Sequence, residues 1–182
     1  MRALRPDRYV ASLLLLDFRE LLGQGVTTLL VDLDNTIAPR DSSRAPEPVA
    51  SHLARALDEG MRLCIVTNNW HARCHIVART LGLPIVTNAL KPLPFGFDRA
   101  RRLVGGTRDE TLVVGDQVYT DVLGAHLAGL KVCLVRPLTD HDLPHVRVLR
   151  RLERRHLRDV PFETVPRPSD GRREEQTRRR NR

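Results

Sequence analysis

Two aspartates, Asp32 and Asp34, directly follow a short apolar run at positions 28–31 and stand one residue apart. Such a run, bounded by turn-forming residues, is typical of a strand that is buried on both faces of a parallel sheet. Buried charges are costly unless they are paired or bound to a metal, and open α/β sheets keep their active sites at the carboxyl ends of their strands. The pair therefore predicts a catalytic or metal-binding site at the end of this strand.

Polar residues stand in equivalent positions after three later strand-like runs, as Thr67 with Asn68, then Lys91, then Asp116 with Asp121. Carboxylates that converge on one point repel each other unless a hard cation joins them, and an oxygen-rich open site suits Mg²⁺. A lysine and a threonine hydroxyl beside such a metal form a pocket for a dianion, most naturally a phosphate. These residues predict a phosphoryl-transfer site.

Each polar residue can be given a chemical role. Asp32 is the candidate nucleophile, which would attack phosphorus and form an aspartyl-phosphate. Asp34, on the same face, could protonate the leaving oxygen and later deprotonate the water that hydrolyses the intermediate. The remaining predicted roles are phosphate binding by Thr67, Asn68 and Lys91, with Lys91 also counted as catalytic, and metal binding by Asp116.

Apolar strand-like runs alternate with helical segments along the chain. Strands are predicted at 27–33, 62–67, 84–86, 111–115 and 131–135, and helices at 9–22, 46–59, 70–81, 92–104, 118–128 and 143–157. Strands that alternate with helices of ten or more residues form βαβ units and a mostly parallel sheet. The predicted fold class is α/β, with a Rossmann-like parallel five-stranded sheet and helices on both faces.

Length and charge suggest one domain with a basic appendage. The 182 residues suffice for a single buried core, and residues 141–182 carry 13 Arg against 7 acidic residues, which is +6 of the total net charge of +8. We therefore predict a domain over 1–160, with N-terminal and C-terminal helices, and a basic disordered tail over 161–182. With no apolar stretch near ~20 residues and no CxxC pair, the predicted location is cytoplasmic, with peripheral membrane contact as an alternative.

The motifs, in this order, resemble those of the haloacid dehalogenase (HAD) superfamily and, more narrowly, the YqeG branch of its type IIIA phosphatases. They are Asp32-Leu-Asp-Asn-Thr36, Val66-Thr-Asn-Asn69, Lys91-Pro92 and the run from Gly115 to Gly124, and the resemblance covers about residues 8–157. It implies that Asp32 is the nucleophile and that Mg²⁺ is held by Asp32, the backbone carbonyl of Asp34 and Asp116. Asp121 is the less certain metal ligand. If it does not bind the metal itself, it would contact the groups that do.

The intervals between the motifs leave no room for a cap domain. About 30 residues separate the first two motifs and about 23 separate the next two, and one helix and one strand fill each interval. An open site of this kind suits a large phosphorylated substrate. Eukaryotic members similar to this branch include a mitochondrial phosphatidylglycerophosphate phosphatase, so the resemblance implies a lipid headgroup by analogy alone.

Some of these sequence patterns also have simpler interpretations. A lone Asp-x-Asp is more often a loop or a helix cap, and only the later motifs favour a site. His71, Cys74 and His75 have a spacing that could bind zinc, although no fourth ligand is apparent and histidines on one side of a helix are common.

The last predicted helix carries an arginine face at positions 147, 151, 154 and 158. This face could attract anionic lipid or nucleic acid, or it could simply be solvated while the apolar face packs on the domain. A rival function follows, that of an RNA- or ribosome-binding protein with a HAD fold and little turnover. Asp34 argues against the rival, because a pure binder has no use for an acid–base group. The sequence predicts no oligomeric state.

Overall fold

Seven parallel strands form one sheet in the computed structural model, which describes residues 2–139, 153 and 155–165. The order across the sheet is β4-β3-β2-β5-β6-β1-β7, so that β2, which ends just before Asp32, lies near the middle. The bounds are β1 Arg8–Val10, β2 Thr28–Val31, β3 Arg62–Val66, β4 Ile85–Val86, β5 Thr111–Gly115, β6 Lys131–Val135 and β7 Phe162–Glu163.

Helices connect the strands. The bounds are α1 Phe18–Gly23, α2 Glu47–Asp58, α3 Ala72–Leu81, α4 Phe95–Leu103 and α5 Leu123–Leu127, with 3₁₀ turns at Arg2–Leu4 and Leu13–Leu15 and a π-helical turn at Val118–Val122. Local sequence explains several ends. Pro48 lies in the first turn of α2, where a missing N–H has no cost, and Gly82 ends α3 in the left-handed conformation at φ 66°. No helix of the described residues is long and apolar enough to cross a membrane.

The core has two layers, one on each face of the sheet. Leu29 and Val31 of β2 belong to the layer under α1, α2 and α3, whereas Leu30 belongs to the layer under α4 and α5. Successive side chains of a strand point to opposite faces, so an apolar run such as β2 is buried on both. The α/β fold with a parallel sheet and helices on both faces is confirmed. The rigid double-sided packing holds the carboxyl ends of β2, β3 and β5 side by side.

The predicted helix over residues 9–22 is wrong in its first half. Residues Arg8–Val10 form β1, which pairs in parallel with β6, and only Phe18–Gly23 are α-helical. The reason is partly local, since the side chain of Ser12 accepts a hydrogen bond from the backbone N–H of Leu14 and starts a 3₁₀ turn there. It is also tertiary, since Arg8 is buried between the carboxylates of Glu20 and Glu163, and Glu163 is 155 positions away.

The sheet has seven strands where the sequence predicts five, because β1 and β7 extend one edge. The guanidinium of Arg8 lies 2.9 Å from the carboxylate of Glu163 and 3.5 Å from that of Glu20. The rings of Tyr9 and Phe162 pack at a tilt of 50°, with their centroids 4.7 Å apart. The tail predicted from residue 161 is therefore wrong for Phe162 and Glu163. Most of the helix predicted at 143–157, and the tail beyond 165, lie outside the described residues.

Candidate active site

The carboxyl ends of the central strands open into a cavity of about 380 Å³. Hydrogen bonding between neighbouring strands fixes the ends in register, as when the backbone N–H of Asp32 donates to the Val114 carbonyl at 2.8 Å. Of the residues predicted from the sequence, the cavity is lined by Asp32, Asp34, Thr67, Asn68 and Lys91. Asp116 and Asp121, which are buried, complete the set without lining the cavity.

Lys91 joins two of the carboxylates. Its ammonium group donates hydrogen bonds to Asp32 Oδ1 and, at 2.6 Å, to Asp121 Oδ1, and only 3% of its side chain is exposed. Burial on its own lowers the pKa of Lys91, but the negative charges of Asp121 and Asp32 outweigh burial and raise the pKa above its usual range. Lys91 is therefore a permanent cation between two carboxylates.

The buried carboxylates still carry more negative charge than Lys91 offsets. Burial raises the pKa of Asp32 well above its ordinary value, Lys91 opposes that rise, and Asp121 and Asp116 add to it. One carboxylate oxygen from each of Asp32, Asp116 and Asp121 lies within 4.8 Å of the other two. Oδ2 of Asp32 is buried and has no hydrogen-bond partner among the described residues. These hard oxygen donors fit a divalent cation such as Mg²⁺.

Asp121 is held by its own loop. Its Oδ2 accepts a hydrogen bond from the backbone N–H of Gln117 at 3.1 Å, while Oδ1 accepts from Lys91. Gly115, the last residue of β5, packs directly against it, and a Cβ at position 115 would overlap the Asp121 carboxylate. With both oxygens engaged, Asp121 is better arranged to orient Lys91 than to bind a metal directly. Direct metal binding by Asp121, the less certain of the predicted metal ligands, stays a prediction.

Thr67 and Asn68, at the end of β3, occupy different positions relative to the cavity. The Thr67 hydroxyl accepts a hydrogen bond from the backbone N–H of Asn69 at 3.1 Å, which leaves its own proton to donate. The Asn68 amide instead forms two hydrogen bonds with the Lys91 backbone, accepting from its N–H at 2.7 Å and donating to its carbonyl at 3.0 Å. These bonds favour a positioning role for Asn68, and its phosphate contact stays a prediction.

Asp34 has a partner that the motifs do not reveal. Arg73 of α3 forms an ion pair with its carboxylate, and the same guanidinium donates to the backbone carbonyls of Pro39 at 3.4 Å and Ser42 at 2.7 Å. Arg73 thereby ties the acid–base candidate to the loop that follows β2. Nothing in the local sequence distinguishes this arginine from its neighbours, because the contact spans 39 positions.

Further residues line the cavity that sequence reasoning did not select, namely Arg40, Asn69, Trp70, His71, Gln117 and Thr120. Trp70 is 68% exposed and lies against the His71 ring at 5.5 Å. The zinc alternative gains no support, since the described residues offer only the Asp32, Asp116 and Asp121 group as a metal cluster. His71 lines the cavity and Cys74 is buried in the core instead.

Comparison with known proteins agrees with this geometry. A HAD-hydrolase-like family model matches residues 89–139, which include Lys91, Asp116 and Asp121. The probable phosphatase YqeG of Bacillus subtilis (strain 168) is 32% identical over 152 residues, which cover 84% of this chain and 88% of that protein.

Solved structures share the fold at low identity. A putative HAD superfamily (subfamily III A) hydrolase from Legionella pneumophila is 16% identical, with a TM-score of 0.51 over 84% of this chain and 81% of that one. The cobalt-bound deoxy-D-mannose-octulosonate 8-phosphate phosphatase from Haemophilus influenzae is 13% identical, with a TM-score of 0.53 over 76% and 90%. Together with the four motifs and the length of the match to YqeG, these findings show that the chain belongs to the HAD superfamily, in the branch that contains YqeG.

Proposed function

We propose that this protein is a Mg²⁺-dependent phosphomonoesterase that acts through an aspartyl-phosphate on Asp32. The observation that carries the proposal is the buried cluster in which Lys91 bridges Asp32 and Asp121 beside Asp116, at the floor of an open cavity. Its relatives include a probable phosphatase, which supports the same activity. A buried charge cluster of this kind is costly for the fold and is typical of a functional site.

In the first step a carboxylate oxygen of Asp32 attacks phosphorus and the bond from phosphorus to the ester oxygen breaks. Asp34 gives its proton to the departing oxygen, so that the product is an alcohol. In the second step Asp34 takes a proton from water, whose oxygen attacks phosphorus. The bond to Asp32 breaks, and inorganic phosphate leaves with both aspartates ready for another cycle.

The other residues stabilise charge that develops on the phosphoryl oxygens. Lys91, which donates to Asp32, and the Thr67 hydroxyl both line the cavity, and Asp121 and Asn68 keep Lys91 in place. A bound Mg²⁺, held by Asp32, the Asp34 carbonyl and Asp116, would supply further positive charge. Donors that are fixed before the reaction need no reorganisation during it.

We further propose a large substrate, with a phosphatidylglycerophosphate headgroup as the first candidate. That identity rests on the resemblance to type IIIA phosphatases. The site supports a large molecule, because the cavity is open and Trp70 in its wall is 68% exposed. Leu90, Leu93 and Phe95, which lie close to Lys91 in the chain, are 56%, 47% and 69% exposed. Asn68 ties this segment to the cavity through its hydrogen bonds to the Lys91 backbone.

The test is Mg²⁺-dependent phosphate release by the wild type and by Asp32→Asn, with the exposed Asp109→Asn as a matched control. We expect Asp32→Asn to lower release at least about 10³-fold, because no other group can replace the nucleophile. Asp109→Asn should leave it unchanged. Chelation with EDTA should abolish it and added Mg²⁺ should restore it.

The substrate panel pairs phosphatidylglycerophosphate vesicles with soluble sugar, nucleotide and aryl phosphates. Release from vesicles far above the soluble set would establish a lipid phosphatase. Activity on small esters alone would retain the mechanism and exclude the lipid. No release from any ester, with neither EDTA nor Asp32→Asn changing anything, would refute the phosphatase and favour the RNA- or ribosome-binding alternative.

A further inference from the structure

Arg40 lies in the wall of the active-site cavity and has no role in the mechanism above. The residue is half-buried, and its Nε is fully buried with no hydrogen-bond partner among the described residues. The guanidinium group of arginine stays charged in proteins, so the group cannot become neutral to reduce the cost of burial. A buried N–H donor without a partner is costly, and such a group in the wall of a cavity points to a ligand.

The position of Arg40 identifies which part of a substrate it would meet. Asp34, as the acid that protonates the leaving oxygen, marks the side of the cavity where the alcohol half of the ester departs. Arg73 connects that side to Arg40, since it pairs with Asp34 and also binds the carbonyls of Pro39 and Ser42. These two carbonyls flank Arg40 in the chain. The loop that carries Arg40 is thus fixed beside Asp34.

Arg40 also differs from the other cations of the site in its charge balance. Lys91 is neutralised by Asp32 and Asp121, and Arg73 by Asp34. Among the described residues, no carboxylate forms an ion pair with Arg40. Within the part of the chain that the structure describes, the cavity therefore offers one positive charge that is not already matched, on the side of the leaving group.

We propose that Arg40 forms a subsite for a second anionic group, carried on the alcohol half of the substrate. The proposal rests on the phosphatase function above and narrows its substrate class to phosphomonoesters whose leaving group bears a carboxylate, phosphate or phosphodiester. Guanidinium suits all three, because its planar set of N–H donors can bind two oxygens at once. Arg40 is then a specificity-determining residue and takes no part in the bond changes at phosphorus.

The experiment compares matched esters that differ by one anionic group. Glycerol 3-phosphate and 3-phosphoglycerate differ by the exchange of a hydroxymethyl group for a carboxylate. Adenosine monophosphate and adenosine bisphosphate test a phosphate in the same way. The enzymes are the wild type, Arg40→Gln, Arg40→Lys and, as a control with the same loss of charge, the exposed Arg79→Gln of α3.

We expect the wild type to prefer the more anionic member of at least one pair in kcat/KM. Arg40→Gln should lower kcat/KM for that member by about 10- to 100-fold and leave the less anionic member within about twofold. Arg40→Lys should restore part of the preference, because it keeps the charge without the planar donors. Arg79→Gln should resemble the wild type. The pair that responds tells whether the group is a carboxylate or a phosphate.

Two results would overturn the proposal that Arg40 forms a subsite. One is an equal fall for both members of a pair in Arg40→Gln, which would indicate a general effect on the fold or on catalysis. The other is a wild type that shows no preference in either pair, a result that requires no variant to fold. The phosphatase proposal fails separately, through an absence of any release that depends on Asp32.

Discussion

The two halves of the candidate active site are built in different ways. The inner half, formed by Asp32, Thr67, Lys91, Asp116 and Asp121, is buried, and Lys91 contacts two of its carboxylates directly. The outer half, formed by Asp34, Arg40, Trp70, His71 and Arg73, ranges from buried Asp34 to Trp70 at 68% exposure, and Arg73 anchors it to loop carbonyls.

This difference separates the residues suited to carrying out the reaction from those suited to selecting the substrate. Charges in the inner half are shielded from water, so each depends on its partners and a change in one is felt by all. In the outer half the water-exposed rim weakens electrostatic coupling, and side chains there can vary more independently. The inner half is accordingly suited to chemistry common to every phosphomonoester. The outer half is suited to discriminating between substrates by their alcohol group.

The largest effect that would test this division is expected from Lys91→Met. Without the ammonium group, Asp32 and Asp121 face each other as uncompensated buried charges, which costs roughly 3–5 kcal/mol when one partner of a buried pair is removed. We expect activity to fall by about 10³-fold or more on every ester alike. The free energy of unfolding, measured with urea in EDTA, should fall by a similar few kcal/mol.

The exposed Lys131→Met of β6 is the matched control, since it removes the same group from the surface. It should change neither activity nor the urea midpoint. A Lys91→Met enzyme that lost activity on one class of ester and kept it on another would contradict the division of the site into two halves.

An intermediate effect is expected from Asp34→Asn, and its size should depend on the leaving group. An alkoxide is a poor leaving group and needs a proton, so loss of the acid should slow alkyl phosphates by about 10²- to 10⁴-fold. Nitrophenolate leaves unaided, so the corresponding aryl phosphate should slow much less in its first step. Burst-phase kinetics would separate this step from hydrolysis of the intermediate. Equal losses in the first step on both esters would show that Asp34 does not act as the acid, and the exposed Asp41→Asn is the control.

The smallest effect concerns His52 of α2, which lies in neither half. Burial lowers the pKa of its imidazole, and the neighbouring Arg55 adds to this. The unfolded chain therefore binds a proton more readily than the native one, so the stability that neutral His52 contributes is present above the unfolded pKa of about 6.5 and is lost as pH falls below it. His52→Gln should weaken this loss without changing activity.

Urea midpoints at a neutral and a mildly acidic pH, for the wild type, His52→Gln and the exposed His75→Gln, would measure the effect. If His75→Gln reduced the pH dependence as much as His52→Gln did, the assignment to a buried imidazole would be wrong.

The sequence predicts which residues of the inner half lie close together, and the reason is geometric. Its residues stand at the ends of apolar strands, and parallel strands bring their carboxyl ends to one edge, so position along the chain translates into position in space. The outer half has no such rule. Arg73 reaches Asp34 across 39 positions from the surface of a helix, and Arg40 sits in a loop that the same arginine holds.

The edge of the sheet formed by β1 and β7 is also not predicted from local sequence. Strands β2, β3, β5 and β6 are predicted because four or five consecutive buried residues leave a local signal. Three residues make β1, and Tyr9 and Val10 also fit the spacing of the helix that follows. Two residues make β7, whose place depends on the ion pair between Arg8 and Glu163. Contacts that distant in the chain outweigh local preference.

The pairing of β1 with β6 has a consequence for biosynthesis. Arg8 lies opposite Cys133, about 125 residues further along the chain. At ~5–20 residues per second, a ribosome needs roughly 6–25 s to add that length. The central strands β2, β3, β4 and β5 have all been made by then, with the helices between them. Of the strands described above, the first to be made is therefore among the last to find its partners, and until then its backbone N–H and C=O groups stay unpaired.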